Sequence, residues 1–279
     1  MTDILVDASD DEVANAIIQN HLTYMRLLGR TPYVDLIETS EYMRLDMGLR
    51  CFSPQGIMYS NLPEEKADAL IISTSNYFEK HQLPFIWAVD PRTSPRDIGE
   101  RLLSNGFRFE GPYPSMAVNL NKLNDNTRSI EGFSYTVVED EETCRTFWDV
   151  WGDGYPMPQT FEDVLCNAFI HNGFKDVSYK LLLGYLDERP IATAIQLRAA
   201  GVVGLHDITV LPSARGMGIG TEMTLIPLRD AITLGFKYSV LCATELGIGI
   251  YRKLGFREYL KWDFYMKHYE YLETTENTH

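Results

Sequence analysis

Residues 210–221 read VLPSARGMGIGT. Three glycines, Gly216, Gly218 and Gly220, sit between an apolar run that reads as a strand, VVGLHDITV, and a helical stretch that continues to Gly235. The first turn of a helix carries backbone N–H groups with no partner inside the helix. Glycines at this place leave no Cβ to keep another molecule from those donors. The helix dipole favours an anion there by about 0.3–1 kcal/mol per charge at an exposed site. Arg215 adds a guanidinium that can bond phosphate oxygens. These features together describe a cradle for a pyrophosphate. A glycine-rich turn that only packs a helix on a strand has the same spacing.

The spacing narrows the ligand. A P-loop needs a lysine after its last glycine, and none follows here. A dinucleotide fingerprint, Gly-x-Gly-x-x-Gly, finds Gly216 and Gly218 but Thr221 at its last position, and it belongs near the start of a βαβ unit rather than late in the chain. The pattern met in full is Arg-x-x-Gly-x-Gly, at Arg215, Gly218 and Gly220.

The chain has 279 residues, 45% of them hydrophobic, which is enough for a substantial core in one large or two small domains. A formal charge of −14 argues against nucleic acid or an anionic membrane as partner, and is compatible with a cationic substrate. No run reaches the roughly 20 apolar residues of a membrane span, and the acidic start MTDILVDASDDEV does not read as a signal peptide. Cys51, Cys144, Cys166 and Cys242 form no CxxC and lie near no histidine at metal-ligand spacing. They read as reduced thiols of a cytoplasmic protein with no metal. A homodimer is compatible with all of this.

Ser9 and Glu12 make a capping box ahead of a helix that stops at Gly29. Strands are expected in MGLRCFSP and QGIMYSNL, a helix in EEKADALIISTSNYFEKH, and a strand in LPFIWAVDP. In SPRDIGERLLSNG, Ser94 fits an N-cap, Pro95 the first helical position and Gly106 the C-terminal cap. The polar stretch NLNKLNDNTRSIE marks a boundary, giving domains 1–125 and 126–279. The second runs through strand FSYTVVED, helices EETCRTFWDVW and QTFEDVLCNAFIH, three strands, the glycine loop with its helix, strand YSVLCATE, helix ELGIGIYRKLG and a last strand. The tail LETTENTH is expected to fray. Pro227 falls inside the helix after the loop, where a kink or break near Leu225 is expected. IGERLLSNGFRFEGPYPSMAVNL in the first half echoes IGIYRKLGFREYLKWDFYMKHY in the second, as a two-fold repeat of one α/β unit would.

ITVLPSARGMGIGTEMT followed by VLCATELGIGIYRKLGF resembles the GNAT superfamily of acetyl-CoA-dependent N-acetyltransferases. The first stretch is similar to its V-x-P-x-x-R-G-x-G-x-G loop, the second to its Y-R-x-L-G-F helix end. The first half is similar to the N-terminal part of tandem members, in which a degenerate unit precedes an intact one. The fold implied is a mixed-sheet α/β fold of two GNAT-like units, the second intact. The resemblance implies that pantetheine lies along the splayed strand at Ile208, Thr209 and Val210. It implies that pyrophosphate sits on Arg215, Gly216, Met217, Gly218, Ile219, Gly220 and Thr221, with the acyl thioester near Tyr251.

Amine acetylation needs a neutral nitrogen. A lysine-like amine titrates near 10.4, so deprotonating it at pH 7 costs roughly 4.6 kcal/mol, and a base should carry the proton away. Tyr251 matches the family's tyrosine and is the expected acid, with a packed aromatic as the plainer role. Aligning Gly106 with Gly255 sets Leu102 opposite Tyr251, and the first half carries Glu64 and Glu65 where its glycine loop would be. His206 is the candidate base, or a hydrogen-bonded wall residue. Strand alternation puts 206, 208 and 210 on one face and Asp207 on the other. Glu245 could assist through water or simply face solvent, and Thr244 stands where the family often has asparagine. Trp148, Trp151, Tyr155 and Met157 could wall an acceptor pocket or belong to the core. The expected reaction is acetyl transfer from acetyl-CoA to the primary amine of a small molecule or peptide. The competing classes are a non-catalytic acyl-CoA-binding regulatory module and a nicotinamide-dependent oxidoreductase.

Overall fold

The computed structural model describes residues 3–126, 129–155 and 157–268; the expected frayed tail lies outside the described residues. In chain order the elements are α1 (Asp10–Leu28), β1 (Asp35–Glu38), β2 (Tyr42–Asp46), β3 (Gly56–Ser60), α2 (Glu64–His81), β4 (Phe85–Val89), α3 (Ile98–Ser104) and β5 (Arg108–Asn119). They continue with β6 (Phe133–Val137), α4 (Glu141–Gly154), α5 (Gln159–Asn172), β7 (Tyr179–Leu186), β8 (Arg189–Ala199) and β9 (Val202–Val210). The last are α6 (Ile219–Thr233), β10 (Tyr238–Cys242), α7 (Glu245–Leu254) and β11 (Arg257–Lys267).

The chain forms two compact units that do not follow a single cut at residue 125. One comprises Met1–Leu28 with Pro114–Leu260, the other Gly29–Tyr113 with Lys261–His279. The reason is strand pairing. In the first unit β6, β7, β8 and β9 are antiparallel neighbours, β10 runs parallel to β9, and residues 115–119 of β5 close the sheet against β10. In the second unit β1, β2 and β3 are antiparallel, β4 runs parallel to β3, and residues 263–267 of β11 close the sheet against β4. Each unit therefore takes its closing strand from the part of the chain that follows the other unit's last helix.

In the first unit Val203, Leu205 and Leu241 bury against Leu225 and Leu228 of α6 and Leu254 of α7. α1 and α4 pack on β8 and β9. Gly204, which alternates with Val203 and Leu205, faces Asn20 of α1, so α1 lies on the sheet face opposite α6 and α7. The capping box is formed as expected: Ser9 N donates to the Glu12 carboxylate at 2.8 Å and Glu12 N donates to Ser9 Oγ at 3.3 Å. α6 runs through Pro227 as one helix, without the break that the sequence offered as one outcome near Leu225. The buried Gln196 amide donates to the Pro227 carbonyl at 2.7 Å, and Leu225 and Leu228 are fully buried. Tertiary packing holds the helix where local preference would interrupt it.

The second unit packs Ala67, Ile71 and Phe78 of α2 and Ile98 and Leu102 of α3 against Ile57, Phe85 and Trp87. Two expectations fail here. MGLRCFSP is loop, not strand, because the buried Gln55 side chain ties up both Leu49 N and Leu49 O as well as Pro84 O. The strands lie earlier, at 35–38 and 42–46. Ser94 does not cap α3. Its hydroxyl donates to Leu62 O at 3.2 Å and its carbonyl accepts from Leu62 N at 3.0 Å, so the helix begins at Ile98 behind Asp97.

The echo between the halves has a structural counterpart. Gly106 and Gly255 both take positive φ, 84° and 99°. Phe107 N donates to Leu102 O at 3.1 Å, and Phe256 N to Tyr251 O at 3.0 Å. The same helix stop thus places Leu102 and Tyr251 at equivalent positions.

Candidate functional site

The parallel ladder between β9 and β10 pairs Ser239 with Val203, Val240 with Gly204 and Leu241 with Leu205. β10 ends one residue later at the exposed Cys242, while β9 continues to Val210 beside β8. From His206 onward β9 has a strand on one edge only. The edge of β9 is thus open at Ile208, Thr209 and Val210. One oxygen on it is already engaged: the Val210 carbonyl accepts from Arg215 Nε at 3.0 Å.

The glycine loop opens where β9 ends. Gly216 and Gly218 have φ of 80° and 88°, a region that costs any side chain strain. Arg215, Gly216, Met217 and Gly218 are exposed, and the space where a Cβ of Gly216 would stand is open. Gly218 is the N-cap of α6, and no side chain caps it. Ile219 buries its side chain in the core, so only its backbone faces outward; Gly220 packs against Ile250 and Val210, and Thr221 is half-buried. An exposed, uncapped helix start with room above its glycines fits a diphosphate. Arg215 also has partners within the protein. Besides Val210 O, its guanidinium reaches Gly154 O at 2.9 Å, so it straps the end of β9 to the end of α4.

A β-bulge reshapes the strand ahead of the loop. Thr193 pairs with Thr209 and Ile195 with His206, so β9 spends one residue more than β8 over this interval. The extra residue is absorbed at Asp207, whose φ is 49°, and its carbonyl accepts from Thr193 Oγ1 at 2.8 Å. The alternation read from sequence is therefore corrected. His206 meets Asn20 and Asp207 meets Tyr24, both on the α1 face. Ile208 and Val210 pack with the residues of α6 and its neighbours.

His206 sits in a closed arrangement. Asn20 Nδ2 donates to the carbonyls of Leu197 and Ala199, which leaves its Oδ1 facing His206 Nε2 at 3.1 Å. Nε2 must then be the protonated nitrogen. The ring stacks under Tyr24 with centroids 4.4 Å apart. Burial, with nearby His21, pushes its pKa down to about 3.

Asp207 was not singled out by the sequence, because alternation aimed it the other way. The Tyr24 hydroxyl donates to its Oδ2 at 2.5 Å. Burial pushes its pKa up to about 6, against hydrogen bonds from Tyr24 and Trp151 that lower it. The only local hint was residue type, since aspartate tolerates a positive φ better than most.

Tyr251 is 8% exposed and lies against Gly247, where a Cβ would run into its ring. Burial, and then Cys242, push its pKa up to about 12. Thr244 is the N-cap of α7, accepting from Gly247 N at 3.3 Å, and Glu245 is exposed in the first turn. Trp148 is core, Trp151 touches Asp207, Tyr155 is exposed and Met157 half-buried. All four cysteines are free. Among the described residues no helix is long and apolar enough to cross a membrane, and no three His, Cys, Asp or Glu side chains gather as a metal site would require.

Residues 116–249 match the family model described as an acetyltransferase (GNAT) domain. Solved structures share the fold. A GCN5-related N-acetyltransferase from Kribbella flavida is 17% identical, covers 96% of this chain and 98% of its own, and superposes with a TM-score of 0.67. One from Sphaerobacter thermophilus is 13% identical over 96% and 95%, with a TM-score of 0.62. A tandem GNAT protein from the clavulanic acid biosynthesis pathway is 12% identical over 92% and 94%, with a TM-score of 0.57. No curated protein sequence matches.

Proposed function

We propose that this protein, whose residues 116–249 match the family model described as an acetyltransferase (GNAT) domain, moves an acetyl group from acetyl-CoA to the primary amine of a small molecule or peptide by direct attack. The observation that carries the proposal is the meeting of two features on one strand: a free edge and uncapped glycine loop at the end of β9, and an ionisable carboxylate, Asp207, three residues upstream of its last residue.

The loop amides of Arg215 to Thr221 would hold the diphosphate, and the open edge at Ile208 and Thr209 would pair with the pantetheine amides. Acetyl-CoA supplies the activated acyl group. Asp207 takes the proton that the amine nitrogen sheds, since above about pH 6 it is ionised. His206 supports this group rather than acting as base: its Nε2 already donates to Asn20 and its basicity is too low. Tyr251, protonated across the physiological range, donates a hydrogen bond to the departing sulfur. At about 12 it is too weak an acid to surrender its proton to a thiolate that ordinarily titrates near 8.5.

The other unit lacks these parts. Leu102 replaces the phenol, and the first turn of α2 holds Glu64 and Glu65, Glu64 being paired with Arg101 at 3.2 Å. We take it as a degenerate, non-catalytic copy. The free thiols suit the cytoplasm.

Free-thiol release from acetyl-CoA across a panel of amines is the test. Release that depends on the amine and on Asp207 supports the proposal. Stabilisation by coenzyme A without turnover of any amine would instead mark an acyl-CoA-binding regulatory module.

A further inference from the structure

We propose that the N-terminal helix, outside the segment that matches the acetyltransferase family, supplies the site's positioning residue: Tyr24 of α1 holds the Asp207 carboxylate in place. The inference rests on the reading of Asp207 as proton acceptor. The matched segment begins at residue 116, and Tyr24 reaches Asp207 across 183 positions of sequence.

The geometry is a chain of dependent contacts. Asn20 fixes α1 to β8 through the Leu197 and Ala199 carbonyls. One turn further along α1, the Tyr24 ring lies flat on His206, with an interplanar angle of 10°. That stack, with His206 itself held by Asn20, leaves the phenol little freedom. Its hydroxyl meets Asp207 Oδ2 at 2.5 Å, while Trp151 of α4 also lowers the pKa of the carboxyl against the effect of burial. A bulge residue at positive φ has no regular ladder to fix its side chain; the Tyr24 hydroxyl fixes it instead. The Tyr24 phenol is held well above its ordinary pKa, by burial first and Asp207 second, so it remains a donor. The other titratable neighbours carry no charge at neutral pH: burial takes His206 to about 3 and His21 to about 4. On α4, burial first and Asp153 second hold the Asp149 carboxyl above its ordinary value.

The test compares Tyr24→Phe, Trp151→Phe and Asp207→Asn in the full chain. Two quantities are read: the pH profile of kcat/KM, and the carboxyl titration of Asp207 in the free protein, assigned by carbon NMR against Asp207→Asn. Tyr24→Phe keeps the stack and removes only the donor. Its carboxyl titration and the acid limb of its profile should both move up by about one pH unit, with KM for acetyl-CoA unchanged. Trp151→Phe should move them in the same direction, which keeps the inference testable if Tyr24→Phe folds poorly. An unmoved titration in both variants, with Asp207→Asn inactive, would overturn the positioning role alone. Full activity in Asp207→Asn would overturn the base assignment and the inference with it.

Discussion

Gly204 lies beneath the side-chain amide of Asn20, so close that a Cβ at position 204 would run into it. The helix that carries Tyr24 is seated on β9 through this one missing side chain. Gly204→Ala should lower the unfolding free energy by about 1–3 kcal/mol through overpacking, read as a lower thermal midpoint. Turnover should fall more than coenzyme A binding, because α1 holds Asp207 through Tyr24.

Asp207 titrates near 6 in the folded protein, above its ordinary 3.8, because burial opposes its charge. The folded state therefore holds this proton more tightly than the unfolded chain, and its stability falls as pH rises from about 4 to 6. Asp207→Asn removes that cost. It should raise the thermal midpoint at pH 8 and not at pH 4, with an upper bound on the order of 3 kcal/mol. The same variant should lose about 10²–10⁴-fold in turnover, and the wild-type rate should climb through pH 6. A variant less stable at pH 8 than the wild type would contradict the assignment.

Arg215 separates charge from geometry. Its guanidinium bonds the carbonyls of both Val210 and Gly154, a fork that a lysine cannot reproduce. Arg215→Lys should therefore lose most of the thermal stabilisation given by coenzyme A, although the charge is kept. Retention of the full shift in Arg215→Lys would mean that charge at this position suffices.

Tyr251→Phe should leave coenzyme A binding intact and slow thiol release about tenfold to a hundredfold, the scale of one lost hydrogen bond to a developing charge. Equal rates would return Tyr251 to a packing role beside Gly247.

The parts of the site that depend on neighbouring residues were legible in the sequence. The loop at 215–221 and the helix it opens follow from glycine placement, which acts within a few residues, whereas Tyr251 came from the family resemblance of the stretch YRKLGF. Asp207 was not legible. One inserted residue reverses the facing of every side chain beyond it, and nothing local in LHDIT marks the bulge. Tyr24 was hidden by distance, since no periodicity connects α1 to β9. The misplaced strand at 47–54 has the same origin: a buried glutamine, Gln55, decides the course of a segment whose own pattern suggested pairing.

The exchange of closing strands bears on how the protein comes into being. As translation proceeds, β4 emerges long before residues 263–267, the strand that completes its sheet, and meanwhile presents an open edge. The second unit therefore stays incomplete until residues 263–267 have been made. A fragment starting at 126 would lack both α1 and the 115–119 strand of its own unit, so it should aggregate when expressed alone.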